Sequence, residues 1–389
     1  MERDGQSETI SGVGGPTHAA GLTELRRRFP RVAVVHDWLT IPGGSERVVL
    51  ELLAMFPDAE LFTSVFDPDP WPVEMVDRPV HASFLNRLPN ARRIYPKLLP
   101  LMSRAFESFD LSGFDLVLSS SHACAKNVLV PDGVPHVCYC HTPMRYAWDP
   151  AFLADEQVGR LTRLLLPALL GRLRRRDLAG AGRPTAFAAN SSYVAERIER
   201  HYGRGARVIH PPVDIDRFLA IERSPRDYYL VLGRVVPYKR VDLAVAACAR
   251  LGRPVKIAGD GRALEGARAA AGPDAEFLGR VPDAELPSLL GGARALLFCA
   301  EEDFGIVPVE AQAAGLPVIA YGVGGVRDSV LDSSTGVLFD AQTTESVCDA
   351  IRRFERIELD EATLRDNARR FDPPRFQREL ADLIACASS

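Results

Sequence analysis

RVAVVHDWLTIPGGSERVVLELLAMF, residues 31–56, holds one complete structural unit. Its run VAVV is short and β-branched, which reads as a strand buried on both faces. The polar exit carries Gly43 and Gly44, and RVVLELLAMF then repeats apolar residues at helical spacing. Strand, glycine loop and helix make the half-unit of a parallel α/β sheet. Working outward, ELFTSVF, FDLVLSSS, HVCYCH and TAFAANS read as further strands. SSYVAERIERHYG reads as a helix with a serine cap and Gly203 at its end.

After Pro211 and Pro212 the pattern restarts. YYLVLGR reads as a strand and RVDLAVAACARLG as a helix. PVKIAGDG, AEFLGRV, ALLFCA, PVIAYG and GVLFD read as strands between helices. The alternation predicts an α/β protein of two doubly wound, mostly parallel domains, over residues 26–212 and 213–372. Residues 1–25, rich in Gly, Ser, Thr and acids, read as a mobile tail, and 373–389 as a closing amphipathic helix expected to pack back toward the first domain.

The chain has 389 residues and a net charge of -4, which argues against a broad nucleic-acid surface. Without an apolar signal core or an apolar run of the ~20 residues that span a bilayer, the expected location is the cytoplasm. Seven cysteines at scattered spacings do not suggest a disulfide framework. Cys138 and Cys140, just before His141, read as buried strand residues rather than half a metal site. Only Lys97, Lys126, Lys239 and Lys256 are lysines among 47 basic residues, so each hints at a need for a compact ammonium.

In doubly wound sheets, ligands bind beyond the carboxyl ends of the strands. EEDFGIVPVEAQAAG, residues 301–315, follows such a strand. Pro308 suits a first helical turn, and Gly315 and Pro317 mark the helix end. The amides at Gly305, Ile306 and Val307 would form an anion site. Glu302 and Glu310 flank that site, where two carboxylates could hold two sugar rings on either side of a diphosphate. The same residues also fit a plainer reading, in which Glu310 complements the helix dipole and Glu302 is solvated. In GRVVPYKR, Arg234 and Lys239 lie five apart across a turn, within reach of one anion.

Together Glu302, Glu310, GRVVPYK, AGDG and HDWLTIPGGSE resemble the retaining glycosyltransferases of family 4. CYCHTPMRYAWD and ANSSYVAERI more narrowly resemble the mannosyltransferase branch that builds bacterial O-antigen and exopolysaccharide. The resemblance implies the GT-B fold, two Rossmann-like domains facing across a cleft. It implies that Glu310 holds the nucleotide ribose and Glu302 the donor hexose. Amides of Phe304, Gly305, Ile306 and Val307 would meet sugar and phosphate, and Arg234 and Lys239 the diphosphate. Gly43 and Gly44 would approach the donor closely, and Arg280 and Val281 would border the base. His122, after a strand in SSSHACAKN, matches the active-site histidine that contacts the hexose; His141 is a second candidate. The implied donor is GDP-mannose, with no metal and no further cofactor, and the implied acceptor a glycan or a lipid-linked glycan. The alternatives are a UDP-hexose donor or a non-catalytic nucleotide-sugar-binding protein.

Asp67 and Asp69 form an Asp-x-Asp triplet, but Pro68 and Pro70 make it a turn rather than a metal site. GVGG at 322–325 lacks the third glycine of a dinucleotide fingerprint, which argues against an NAD-linked oxidoreductase. NARRIYPKLLPLMSRAFE and LTRLLLPALLGRLRRRDLAG mix leucines with arginines and suggest peripheral contact with the inner face of the membrane.

Overall fold

The structure, a computed structural model, describes residues 16–149, 160–224 and 227–388. Its first sheet takes β1 (Val32–His36), β2 (Glu60–Thr63), β3 (Val80–Ala82), β4 (Leu116–Ser121), β5 (His136–Cys140), β6 (Ala186–Ala189) and β7 (Arg207–Val208). They pair in parallel, in the order β3-β2-β1-β4-β5-β6-β7. The second sheet takes β8 (Tyr229–Leu232), β9 (Val255–Ala258), β10 (Ala275–Gly279), β11 (Leu296–Phe298), β12 (Val318–Tyr321) and β13 (Gly336–Phe339). These too are parallel, in the order β10-β9-β8-β11-β12-β13.

Both sheets therefore reverse direction beside their first strand, at β1/β4 and at β8/β11. Those are the switch points where such sheets open a crevice. The expected pair of Rossmann-like α/β domains is what the chain forms. The three-residue β3 escaped the sequence reading because it is a short edge strand with too little apolar run to register.

The opening unit folds as read. Val32, Val34 and Val35 of β1 are buried, and the helix Gly44–Met55 packs Val48, Val49, Leu52 and Leu53 against the sheet. Each such side chain taken out of water contributes about 1.5–3 kcal/mol.

The start of the chain needs correction. Residues 1–15 lie outside the described residues, but Pro16–Arg28 is a helix rather than part of a mobile tail. Leu22, Leu25 and Phe29 recur at helical spacing and are buried in the first domain's core. That stripe was masked by the polar composition ahead of it. The helix touches the last helix, Pro373–Ala387, which packs Phe376, Leu380, Leu383 and Ile384 into the same core.

The chain thus crosses between domains twice, near Pro211 and near Asp372. The Val213 amide donates to the Phe371 carbonyl at 2.9 Å, so the two crossings lie side by side. His210 packs its ring on Phe371 and Phe304 at this seam.

Each of the two basic-apolar stretches buries part of its described residues. Leu99, Met102, Ala105 and Phe106 are buried, while Leu101 is exposed. In the helix Arg160–Ala181, Leu173 and Asp177 are buried. Arg174 donates to the Ala147 carbonyl at 2.7 Å and lies over the Trp148 ring, so this arginine belongs to the fold. Arg175 and Leu178 are exposed. No helix among the described residues is long and apolar enough to cross a membrane.

Candidate active site

The second domain supplies the charged half. Gly233 follows β8 with φ 121°, and a Cβ there would lie 3.3 Å from Lys239 Nζ. Lys239 closes the short 3-10 turn Pro237–Lys239. Its neighbour loop crosses so closely that a Cβ on Gly259 would meet the Gly233 carbonyl oxygen at 1.9 Å. That contact explains the AGDG sequence sterically. Lys239 Nζ then lies 3.0 Å from Glu302 Oε1, with both side chains mostly buried. The two residues assigned separately to phosphate and hexose are ion-paired with each other.

Glu302 is held by its backbone as well. It forms an isolated parallel bridge with Gly324, and its carbonyl accepts from the Gly325 amide at 2.8 Å. The GVGG segment thus braces the backbone of Glu302. Gly305 caps the helix Ile306–Ala313 with φ 83°, and Gly315 ends it with φ 72°. Phe304 turns its ring into the core, where it packs on His210 and Phe371. Glu310, one turn along, is partly buried. Burial raises its carboxyl above the usual range, and the nearby Arg47 and Arg217 oppose the rise. Arg234 is exposed on the loop that carries Lys239. Arg280, exposed, and Val281, partly buried, follow β10 at the outer edge of the sheet.

The first domain supplies a largely buried, hydrogen-bonded half. Asp37, directly after β1, is fully buried. Its carboxylate accepts the amides of His122, Ala123, Cys124 and Ala125 at 2.5 to 2.9 Å. Burial works against this charge, but His122 and His36 beside it and the amide of His122 hold the carboxyl below its ordinary value. The loop is pinned again where Lys126 donates to Asp177 at 2.5 Å and to the Ala123 carbonyl at 2.6 Å, all buried. Trp148 and Tyr202 donate to the other oxygen of Asp177. Two clamps thus fix the loop that presents His122.

His122 keeps about a fifth of its side chain exposed, at 21%, and sits 3.3 Å from Asp37. Its ring is 5.7 Å from His36, 6.2 Å from His141 and 4.4 Å from Trp38. His141 is buried and shares a 2.7 Å hydrogen bond with Ser120 Oγ. Burial, reinforced by His122 and His36, pushes its ring down to about 3. His141 thus sits buried beside His122, held by Ser120. Glu46 is buried 3.5 Å from His36 Nε2. Burial opposes its charge, yet His36 beside it takes the carboxyl down to about 2.

The halves meet. A Cβ on Gly44 would lie 2.8 Å from Ile306 Cδ1, so the glycine loop touches the helix end across the cleft. Arg145 contacts Asp303 at 2.9 Å, and Tyr193 donates to Glu301 at 2.6 Å. The Ser192 amide donates to Asp328 at 2.6 Å, with His210 Nε2 3.2 Å from the same oxygen. Asp67, of the Asp-x-Asp triplet, pairs with Arg92 at 2.9 Å. Cys138 and Cys140 are free and buried in β5.

Sequence reasoning missed Asp37, Glu46, Arg145, Tyr193 and Asp303. Asp37 had a signal, being a polar residue immediately past a buried strand. Arg145 and Tyr193 lay inside the stretches CYCHTPMRYAWD and ANSSYVAERI that carry the resemblance, but nothing there linked them to Asp303 or Glu301.

The family model for glycosyltransferase family 4 matches residues 42–217, and that for glycosyl transferases group 1 matches 214–371. A D-inositol 3-phosphate glycosyltransferase of Geodermatophilus obscurus is 32% identical over 231 residues, covering 51% of this chain and 51% of that protein. One of Frankia alni is 29% identical, covering 58% and 60%. The chain thus spans about half the length of the first of these relatives. Among solved structures, Anabaena HepE in complex with UDP superposes with a TM-score of 0.62 at 17% identity, over 92% of this chain and 100% of that one. The lipopolysaccharide outer core galactosyltransferase WaaB superposes with 0.61 at 17% identity, over 91% and 99%. With both halves matched by family models and both sheets wound alike around facing switch points, the chain belongs to glycosyltransferase family 4 and has the GT-B fold.

Proposed function

We propose that the protein transfers a hexose, with retention, from a nucleoside-diphosphate sugar to a glycan or lipid-linked glycan, in the synthesis of a bacterial surface polysaccharide. The observation that carries this reading is the Lys239–Glu302 pair at the switch point of the second sheet, with the clamped His122 loop at the switch point of the first. The diphosphate lies against Lys239, Arg234 and the amides opening the helix Ile306–Ala313, which stabilise its growing charge as it leaves. Glu302, released from Lys239, accepts hexose hydroxyls, and Glu310 accepts those of the ribose. The bond from the sugar's anomeric carbon to phosphate breaks, and the acceptor oxygen bonds on the same face. A phosphate oxygen takes the acceptor's proton, so no protein base or metal is required.

GDP-mannose is the first-choice donor, supported by CYCHTPMRYAWD and ANSSYVAERI. A UDP-hexose is the second reading, favoured because HepE was crystallised with UDP and with UDP-glucose. Exposed Arg175, Leu178 and Leu101 support contact with a membrane that would present a lipid-linked acceptor. Thermal shift against both donors is the test. At a hundredfold excess over its dissociation constant the true donor adds about 2.7 kcal/mol. Stabilisation by UDP-glucose alone removes the mannose assignment; stabilisation by neither removes the donor reading.

A further inference from the structure

Glu301, Glu302 and Asp303 are consecutive, yet they serve two domains. Glu302 pairs with Lys239 of its own domain at 3.0 Å. Both neighbours are held from across the cleft. Tyr193 Oη donates to Glu301 Oε1 at 2.6 Å. Arg145 brings Nε to 3.0 Å and Nη2 to 2.9 Å of Asp303 Oδ2, and the Ser191 hydroxyl donates to the Asp303 carbonyl. Glu302 lies between them in an isolated parallel bridge with Gly324. Clamping residues 301 and 303 therefore fixes the face that Glu302 presents.

We propose that Arg145 and Tyr193 are positioning residues, which orient the Glu302 carboxylate only while the domains are closed, so that closure and alignment of the donor site are one event. This rests on the reading of Glu302 as the donor carboxylate. The clamp is more than a surface pair. Arg145 and Asp303 keep only 21% and 19% of their side chains exposed, where screening by salt is weak. Burial raises the Asp303 carboxyl above its ordinary value, and Arg145 is the main group opposing that rise. The only covalent links between the domains are the two crossings, which lie side by side where the Val213 amide donates to the Phe371 carbonyl.

The test uses the full chain with Arg145→Gln, Arg145→Lys and Tyr193→Phe. Transfer is measured with GDP-mannose and UDP-glucose, binding with GDP and UDP by calorimetry, and compactness by small-angle X-ray scattering. Misplacing Glu302 should lower kcat by about tenfold to a hundredfold in Arg145→Gln. The donor KM and nucleoside-diphosphate affinity should stay within about threefold, because Lys239 and Glu310 are untouched. Arg145→Lys should recover part of kcat, and the radius of gyration of Arg145→Gln should rise. An unchanged kcat, or an equal loss of nucleotide affinity, overturns the proposal. Should Arg145→Gln not fold, Tyr193→Phe removes one hydroxyl and no packing, and an unchanged kcat there is decisive against it. Should the unaltered protein transfer from neither donor, the functional reading fails separately. The scattering then decides the clamp: an unchanged radius rejects it and an increase keeps it.

Discussion

The two switch points were built by the same strand order but by opposite chemistry. At β1/β4 Asp37 and His141 are buried and bound to fixed partners, and His122 keeps part of its side chain exposed. Asp37 collects the amides of the His122 loop, and His141 is held neutral against Ser120. At β8/β11 an ammonium and a carboxylate face each other with part of each side chain exposed. The first arrangement fixes backbone; the second offers charges that a ligand can take over. A further contrast lies in the sequence: residues 213–372 contain no histidine, so every imidazole lies in the first domain, its leading segment or the crossing. One half of the site should therefore respond to acid, and the other to charge deletion.

The sharpest break of this contrast is Lys239→Ala. Losing a preorganised cation from the leaving diphosphate should lower transfer by about 10² to 10³. Glu302→Gln should also lose transfer while keeping most affinity for the nucleoside diphosphate. Since the two side chains are paired, the double variant should lose less than the product of the single effects. Independent effects in that cycle would show that the ion pair has no part in the working site.

Acid should separate the domains next. Burial pushes His136 and His141 down to about 3, against an ordinary value of 6.5. Their folded pKa lies below the unfolded one, so the unfolded chain binds protons first. Stability is full above pH 6.5 and falls as the pH drops toward 3. At pH 5 the loss is about 2 kcal/mol for each buried ring. Hydrogen exchange at pH 7.5 and 5 should show protection falling in β4 and β5 before β11 and β12. Simultaneous loss in both sheets would refute the contrast.

Glu310→Gln is expected to be milder, weakening the nucleoside diphosphate by about tenfold through one charge-assisted contact to the ribose. Calorimetry with GDP and UDP checks it, and an unchanged affinity removes the ribose role. The smallest effect is expected from Asp67→Ala with Asp69→Ala. Asp67 pairs with Arg92 and its side chain keeps 23% exposure, so the change should cost about 1 kcal/mol or less. Transfer in excess EDTA should likewise be nearly unchanged. Loss of activity in either experiment would place a metal at the diphosphate.

What the sequence determined by itself was everything that depends on neighbours in the chain. Strand runs, helix spacing and the glycines between them are local, so two doubly wound domains were legible, as were the residues that follow each strand. Glu302, Lys239 and His122 could be chosen because a strand end in such a sheet is a ligand edge whatever its partner. Partnership was not legible. Glu302 and Lys239 looked like two separate contacts and are one ion pair; GVGG looked like an incomplete dinucleotide fingerprint and braces Glu302. Asp37 meets its amides 85 to 88 residues away, and Arg145 meets Asp303 across 158. At such separations no periodicity links the members of a pair. The folding of each sheet brings Asp37 to its amides and Lys239 to Glu302, and only the meeting of the two domains brings Arg145 to Asp303, where burial gives each its partner.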